Sequence, residues 1–169
     1  MILRCVVLTL LWFAPLSYAL KVGDPLPNFA RPGLLHSDTL RTENLKGRVL
    51  YIDFWASWCG PCRVSLPAMD VLFREFQSQG FTVVAVNLDK NENEAQAFLK
   101  AHPVSYPLVK DDGSLPKRLG VVGMPTGFLV DHTGLVRAVH EGFRKGDERK
   151  LRTQIVRLLE EARQQKSRQ

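Results

Sequence analysis

Residues 48–55 read Arg-Val-Leu-Tyr-Ile-Asp-Phe-Trp, and four positions after Trp55 comes Cys59-Gly60-Pro61-Cys62. A run that is apolar at both odd and even positions is a strand buried on both faces, which belongs in the middle of a covered sheet. Asp53 alone interrupts it. The rest of the chain repeats the alternation. Phe81 to Leu88 reads as a second buried strand, and Thr126 to Val130 and Leu135 to His140 read as a hairpin turned by Asp131-His132-Thr133-Gly134. Tyr106 to Val109 is short and extended. Between these lie helical patterns. The first follows Cys59, with Leu66, Met69, Phe73 and Phe76 near helical spacing, Pro67 as a kink and Gly80 as a stop. The second is Asn91 to His102 with Ala95, Phe98 and Leu99 inward, and a turn or two follows over Leu115 to Leu119. A final helix is capped by Asp147, with Leu151, Ile155, Leu158 and Leu159 on one face. The lead-in from Lys21 to Arg31 is extended, Leu34 to Leu40 suits a short hairpin, and Thr42 to Gly47 suits one helical turn. This order predicts an α/β fold with a central mixed sheet and helices on both faces.

At 169 residues the chain fits one such domain. The net charge of +6 is not spread over it. The last 26 residues, from Arg144, hold nine basic and four acidic side chains, while residues 20–143 hold thirteen of each. Arg149, Lys150, Arg152, Arg157, Arg163, Lys166 and Arg168 have no interleaved aromatic, so they read as a solvated helix face and frayed end, not as a nucleic-acid site.

The first residues read as an address. Arg4 precedes a short apolar run, Pro15 breaks it, and Ser17-Tyr18-Ala19 supplies small residues where a signal peptidase cuts. Residues 1–19 are expected to be a signal peptide, 20–163 the folded domain and 164–169 a frayed basic tail. The competing reading is an uncleaved anchor, and only then would the protein touch a membrane; the run from Cys5 to Leu20 is just short of a usual span. With the leader gone, Cys59 and Cys62 are the remaining cysteines. Two cysteines suit a compartment where disulfides persist, most simply a periplasm.

Two thiols two residues apart at a strand-to-helix junction can close a small disulfide ring, and Gly60 and Pro61 permit the turn. Unpaired N–H groups at a helix N-terminus stabilise a thiolate there. Lowering a thiol from about 8.5 to about 7 is worth roughly 2 kcal/mol and makes about half of it thiolate at neutral pH. This makes Cys59 the attacking nucleophile and Cys62 the resolving thiol. Zinc would need two further ligands; there is no second cysteine pair, and His36, His102, His132 and His140 show no ligand spacing. No metal or cofactor is expected.

Asp53-Phe54-Trp55-Ala56-Ser57-Trp58-Cys59-Gly60-Pro61-Cys62 resembles the active-site segment of thioredoxin. Val22 to Phe29, Asn44 to Arg48, Val86 to Asp89 and Gly120 to Asp131 extend the likeness to the secreted TlpA/ResA-type thioredoxin-like proteins, over about residues 22–142. The resemblance implies a thiol:disulfide oxidoreductase with Cys59 and Cys62 as its redox pair. It implies that Trp58, Gly60, Pro61, Met124, Pro125 and Thr126 meet the substrate, with Pro125 as a cis-proline facing the dithiol. The backbone of Met124 would pair with an extended client segment. It makes Asp53 a buried acid that takes the Cys62 proton; the plainer alternative is a carboxylate paired with Lys90 or Lys110. Many secreted relatives carry Glu where this chain has Ser65, so a proton shuttle there is absent.

Gly-Pro between the cysteines is the choice found at the reducing end of the scale. The resemblance therefore implies reduction of protein disulfides outside the cytoplasm, with re-reduction by a membrane donor of the DsbD type. Apocytochrome c or copper-site cysteines are the clients it suggests. A dithiol oxidase or isomerase and a copper-binding module using the same cysteines are the alternatives. A peroxiredoxin-type peroxidase would need Thr where Ala56 stands.

Overall fold

The computed structural model describes residues 19–168. The proposed signal peptide thus lies, apart from Ala19, outside the described residues. Strands β3 (Val49–Trp55), β4 (Phe81–Asn87), β5 (Leu108–Lys110), β6 (Thr126–Val130) and β7 (Val136–Glu141) form a five-stranded sheet. Its order is β5-β4-β3-β6-β7. β3 runs parallel to β4, and β4 to β5; β6 is antiparallel to both β3 and β7. The expected mixed sheet is present, with β3 at its centre and every β3 residue buried.

The two faces carry separate apolar layers. Val49, Tyr51 and Trp55 pack with helix α1 (Cys62–Phe76), α2 (Glu92–Ala101) and α4 (Asp147–Lys166). Leu50, Ile52 and Phe54 pack with α3 (Ser114–Leu119) and with Phe29, Leu26 and Leu40 of the lead-in. Ala95, Phe98 and Leu99 are the buried residues of α2, as the periodicity requires, and Asn91 caps it by accepting from the Asn93 N–H.

Several boundaries differ from expectation for local reasons. The early hairpin pairs β1 (Ala30–Pro32) with β2 (Thr39–Arg41), so residues 34–38 form its loop instead of its strands. β5 starts at Leu108 because Pro107 has no N–H to give to the ladder; it contributes only its carbonyl, to Ala85. α1 passes through Pro67 to Phe76, and Gly80 in the left-handed region (φ 104°) turns the chain into β4. Asp147 is not the cap of α4: Gly146 holds that place with φ 101°, a conformation that favours glycine, while Asp147 accepts the Arg144 N–H at 2.7 Å from inside the first turn. α4 continues to Lys166, into the segment read as tail.

Candidate active site

β3 ends at Trp55, and the chain reaches Cys59 through a tight turn. Cys59 N–H donates to the Ala56 carbonyl at 3.1 Å, and Cys62 N–H donates to the Cys59 carbonyl at 3.2 Å. Cys59 and Cys62 are joined as a disulfide, Cα to Cα 5.3 Å. α1 begins at Cys62 and its cap position is Pro61, with no side-chain cap. Cys59 therefore stands just before the helix instead of in its first turn, and its carbonyl receives a first N–H of the entering chain. The two thiol positions differ in access. Cys59 keeps 5% of its surface open, whereas Cys62 has none. Gly60 and Pro61 are exposed beside them, and Trp58 is 66% exposed.

The turn is fastened from β4. Ser57 donates both its N–H and its hydroxyl to Asp89, each at 2.9 Å, and Asn87 Nδ2 donates to the same carboxylate at 2.7 Å. Sequence reading quoted Asn87 and Asp89 only as part of a resemblance and did not connect them to the cysteine loop. A polar residue closing a buried strand and an acid two residues on, beside a Ser just past the neighbouring strand, were the available signal.

The loop before β6 arrives at the same edge. Phe54 pairs in register with Thr126, which puts Pro125 abreast of Trp55, where the cysteine loop begins. The Met124–Pro125 peptide bond is cis. Pro125 and Thr126 are buried, Met124 is half-buried and packs against both apolar layers, and the Thr126 hydroxyl donates to the Gly123 carbonyl at 2.7 Å. Val122, one turn of loop away, is 91% exposed and was not singled out from sequence.

Asp53 lies on the face covered by α1, 1% exposed. Burial pushes its carboxyl up to about 8, and its Oδ2 has no protein hydrogen-bond partner. Neither lysine considered as its partner reaches it as an ion pair; Lys110 is bonded to Glu92 at 2.6 Å. Ser65 is buried one turn after Cys62 and turns its hydroxyl to the Cys62 carbonyl. Among the described residues no group of three or more His, Cys, Asp or Glu side chains is placed to hold a metal, and no helix is long and apolar enough to cross a membrane.

A mixed sheet with a Cys-X-X-Cys pair at the strand-to-helix junction and a cis-proline loop beside it defines a thioredoxin-superfamily dithiol protein. The family model that matches is Redoxin, over residues 21–155. Thiol-disulfide oxidoreductase ResA of Bacillus subtilis is 31% identical over 125 residues, covering 73% of this chain and 69% of that protein. ResA of Bacillus thuringiensis subsp. konkukian is 29% identical, covering 69% and 68%. A solved chain from Chlorobium tepidum, assigned as a DsbE thiol:disulfide interchange protein, is 43% identical with TM-score 0.79, covering 83% of this chain and 99% of that one. The chain belongs to the redoxin family, in the thioredoxin superfamily, and it is a thiol:disulfide oxidoreductase that works by dithiol–disulfide exchange.

Proposed function

We propose that the protein reduces disulfides of client proteins outside the cytoplasm, with Cys59 as nucleophile and Cys62 as resolving thiol. The unequal access of the two cysteines carries this assignment: a client sulfur can approach Cys59, and Cys62 is reached only from Cys59. In the reduced enzyme the Cys59 thiolate attacks one client sulfur. A mixed disulfide forms and the other client sulfur leaves as a thiolate, which takes a proton from water. Cys62 then loses its proton to Asp53, attacks Cys59 and releases the second client thiolate. The Cys59–Cys62 disulfide is left behind, with two electrons transferred. Reopening it runs the same step backwards, and Asp53 returns the proton to Cys62. A carboxyl that titrates near 8 is neutral in most molecules at pH 7, ready as the donor, and it accepts the Cys62 proton only from its ionised minority.

Trp58, Gly60 and Pro61 on one side and Met124, Pro125 and Thr126 on the other form the client surface in this reading. An extended client segment pairs with the Met124 backbone beside Cys59. Residues 1–19 serve as the export signal, 20–163 as the catalytic domain and 164–169 as a basic tail. Named relatives are thiol-disulfide oxidoreductases, which supports cysteine-bearing proteins as clients. A DsbD-type membrane protein is the donor the reading requires, and cytochrome c or copper-site maturation is the client process it suggests. Equilibration of the mature domain with glutathione tests the direction. The account expects a potential near roughly −270 mV, the thioredoxin value, and a value near roughly −120 mV would make the protein an oxidant instead.

A further inference from the structure

Trp55 Nε1 is buried on one face of the sheet without a protein hydrogen-bond partner, and so, on the same face, are Oδ2 of Asp53 and Nδ1 of His140. The register puts the last two in one row. Asp53 on β3 pairs with Gly127 on β6, and Gly127 pairs with His140 on β7. Residues opposed in this way point to the same side of the sheet. The middle position of the row has no side chain of its own. Tyr51 fills it. Tyr51 lies two residues before Asp53 and shares its face. A Cβ built on Gly127 would fall 1.9 Å from the Tyr51 hydroxyl oxygen. The hydroxyl therefore occupies the slot between the carboxyl and the imidazole. Opposed Cβ atoms are about 5 Å apart and Asp53 Oδ2 has no protein partner, so the carboxyl reaches the hydroxyl through one water.

The far end of the row opens outward. Tyr51 and His140 line a cavity of about 240 Å³ with Phe143, Asp147 and Lys150, and their ring centroids are 5.9 Å apart. His140 Nε2 is 3.0 Å from Gln154 Oε1. An amide oxygen only accepts, so Nε2 carries the ring proton and Nδ1 is the bare acceptor.

We propose that Tyr51 is the proton conduit between Asp53 and solvent, ending at the His140 cavity. This rests on Asp53 acting as the acid–base group of the exchange reaction. The Asp53 O–H bond breaks as its proton passes along that one water to the Tyr51 oxygen. The Tyr51 O–H bond breaks in the same event, and its proton passes through cavity water to His140 Nδ1, which has no protein partner and hands it on to solvent. Reprotonation reverses each bond change, and no electron moves. Burial supports the scheme. It raises Asp53 and Tyr51 and lowers His140, so the relay starts from three neutral groups near pH 7. The other titratable groups around it are Glu141 beside His140 on β7, Asp147 and Lys150 from α4, Tyr106 before β5 and Cys62 from α1. Tyr106 donates its hydroxyl proton to the Leu66 carbonyl, which takes it out of the path, and Cys62 in the disulfide has none to give.

The test uses the full domain with its disulfide closed. A rapid pH jump across the Asp53 titration, from about pH 6 to about pH 9, is followed through the carboxylic-acid C=O infrared band. Asp53→Asn identifies that band by removing it. Tyr51→Phe keeps the ring and loses the hydroxyl; the account expects the band to disappear about tenfold more slowly or worse. A rate equal to or faster than that of the unmodified protein overturns the conduit and leaves the Asp53 role standing. His140→Gln, at the edge strand, is the second variant, and it too must slow the decay; an unchanged rate rules out the His140 exit. If Asp53→Asn removes no titrating band, the Asp53 reading itself fails and takes the conduit with it.

Discussion

Ser57 and Asp89 join the cysteine loop to the strand beside it: the Ser57 N–H and hydroxyl both donate to the Asp89 carboxylate at 2.9 Å. Ser57 is two residues before Cys59, and Asp89 follows β4, the parallel neighbour of β3. The pair clamps the loop to the sheet end. Asn87 completes the arrangement, donating to Asp89 through Nδ2 and accepting the Asp89 N–H at 3.2 Å.

Asp89→Ala leaves these donors without their acceptor in a nearly buried place. Removing one partner of a buried hydrogen bond costs about 1–3 kcal/mol, so a loss at the upper end of that range is expected. Urea denaturation of the oxidised protein measures it. The same variant should show more variable access to Cys59, read as faster opening of the disulfide by a small dithiol. A midpoint equal to that of the unmodified protein would mean the clamp contributes nothing to stability.

Asp53 ties stability to pH. Its carboxyl holds a proton up to about 8 in the folded chain, against an ordinary value of 3.8. Between those values the folded state binds more protons than the unfolded one. Stability therefore falls as pH rises through this window and levels off above it. Asp53→Ala should abolish that slope and raise stability at pH 7 by an amount on the order of 4 kcal/mol, less the packing lost. Thermal or urea unfolding at a series of pH values reads both effects. A variant that keeps the slope would place its origin elsewhere.

Gly127 is fixed by Tyr51. A methyl at this position would meet the Tyr51 hydroxyl oxygen at 1.9 Å and its ring carbons at 2.2 and 2.7 Å. Gly127→Ala should destabilise the domain by about 1–3 kcal/mol or more. Adding Tyr51→Ala to the same chain should cost less than the two single changes summed, because the clash goes with the ring. A double-mutant cycle in urea measures this coupling, and strict additivity would contradict it.

Trapping separates the two cysteines. Cys62→Ser leaves the mixed disulfide unresolved, so it should accumulate client adducts through Cys59. Cys59→Ser should trap few, since Cys62 has no open surface. Non-reducing electrophoresis of the two variants side by side gives the answer. Equal trapping would reverse or merge the roles.

The sheet was legible because β3 and β4 are apolar at every position but one or two, a pattern that solvent-facing strands do not show. The cysteine pair was legible from its spacing at a strand-to-helix junction and Asp53 from its place in an apolar run, while the cis Met124–Pro125 bond followed from a resemblance carried by contiguous segments. The misread parts depend on contacts distant in sequence or on single backbone groups. Tyr51 looked like one more apolar strand residue, and its hydroxyl became notable only when the register set Gly127 and His140 beside it. Asp147 looked like a cap because Asp is favoured there, but a glycine one residue earlier adopts the left-handed turn and takes the position. The Ser57–Asp89 clamp spans 32 residues and left no local periodicity to read.

The most direct test is alkylation of the reduced domain by iodoacetamide across pH, with peptide mapping of the modified residue. The account predicts that Cys59 reacts first and that its rate follows a thiol acidity well below the ordinary value of about 8.5. Modification that begins at Cys62, or a Cys59 rate that tracks an ordinary thiol, would contradict it.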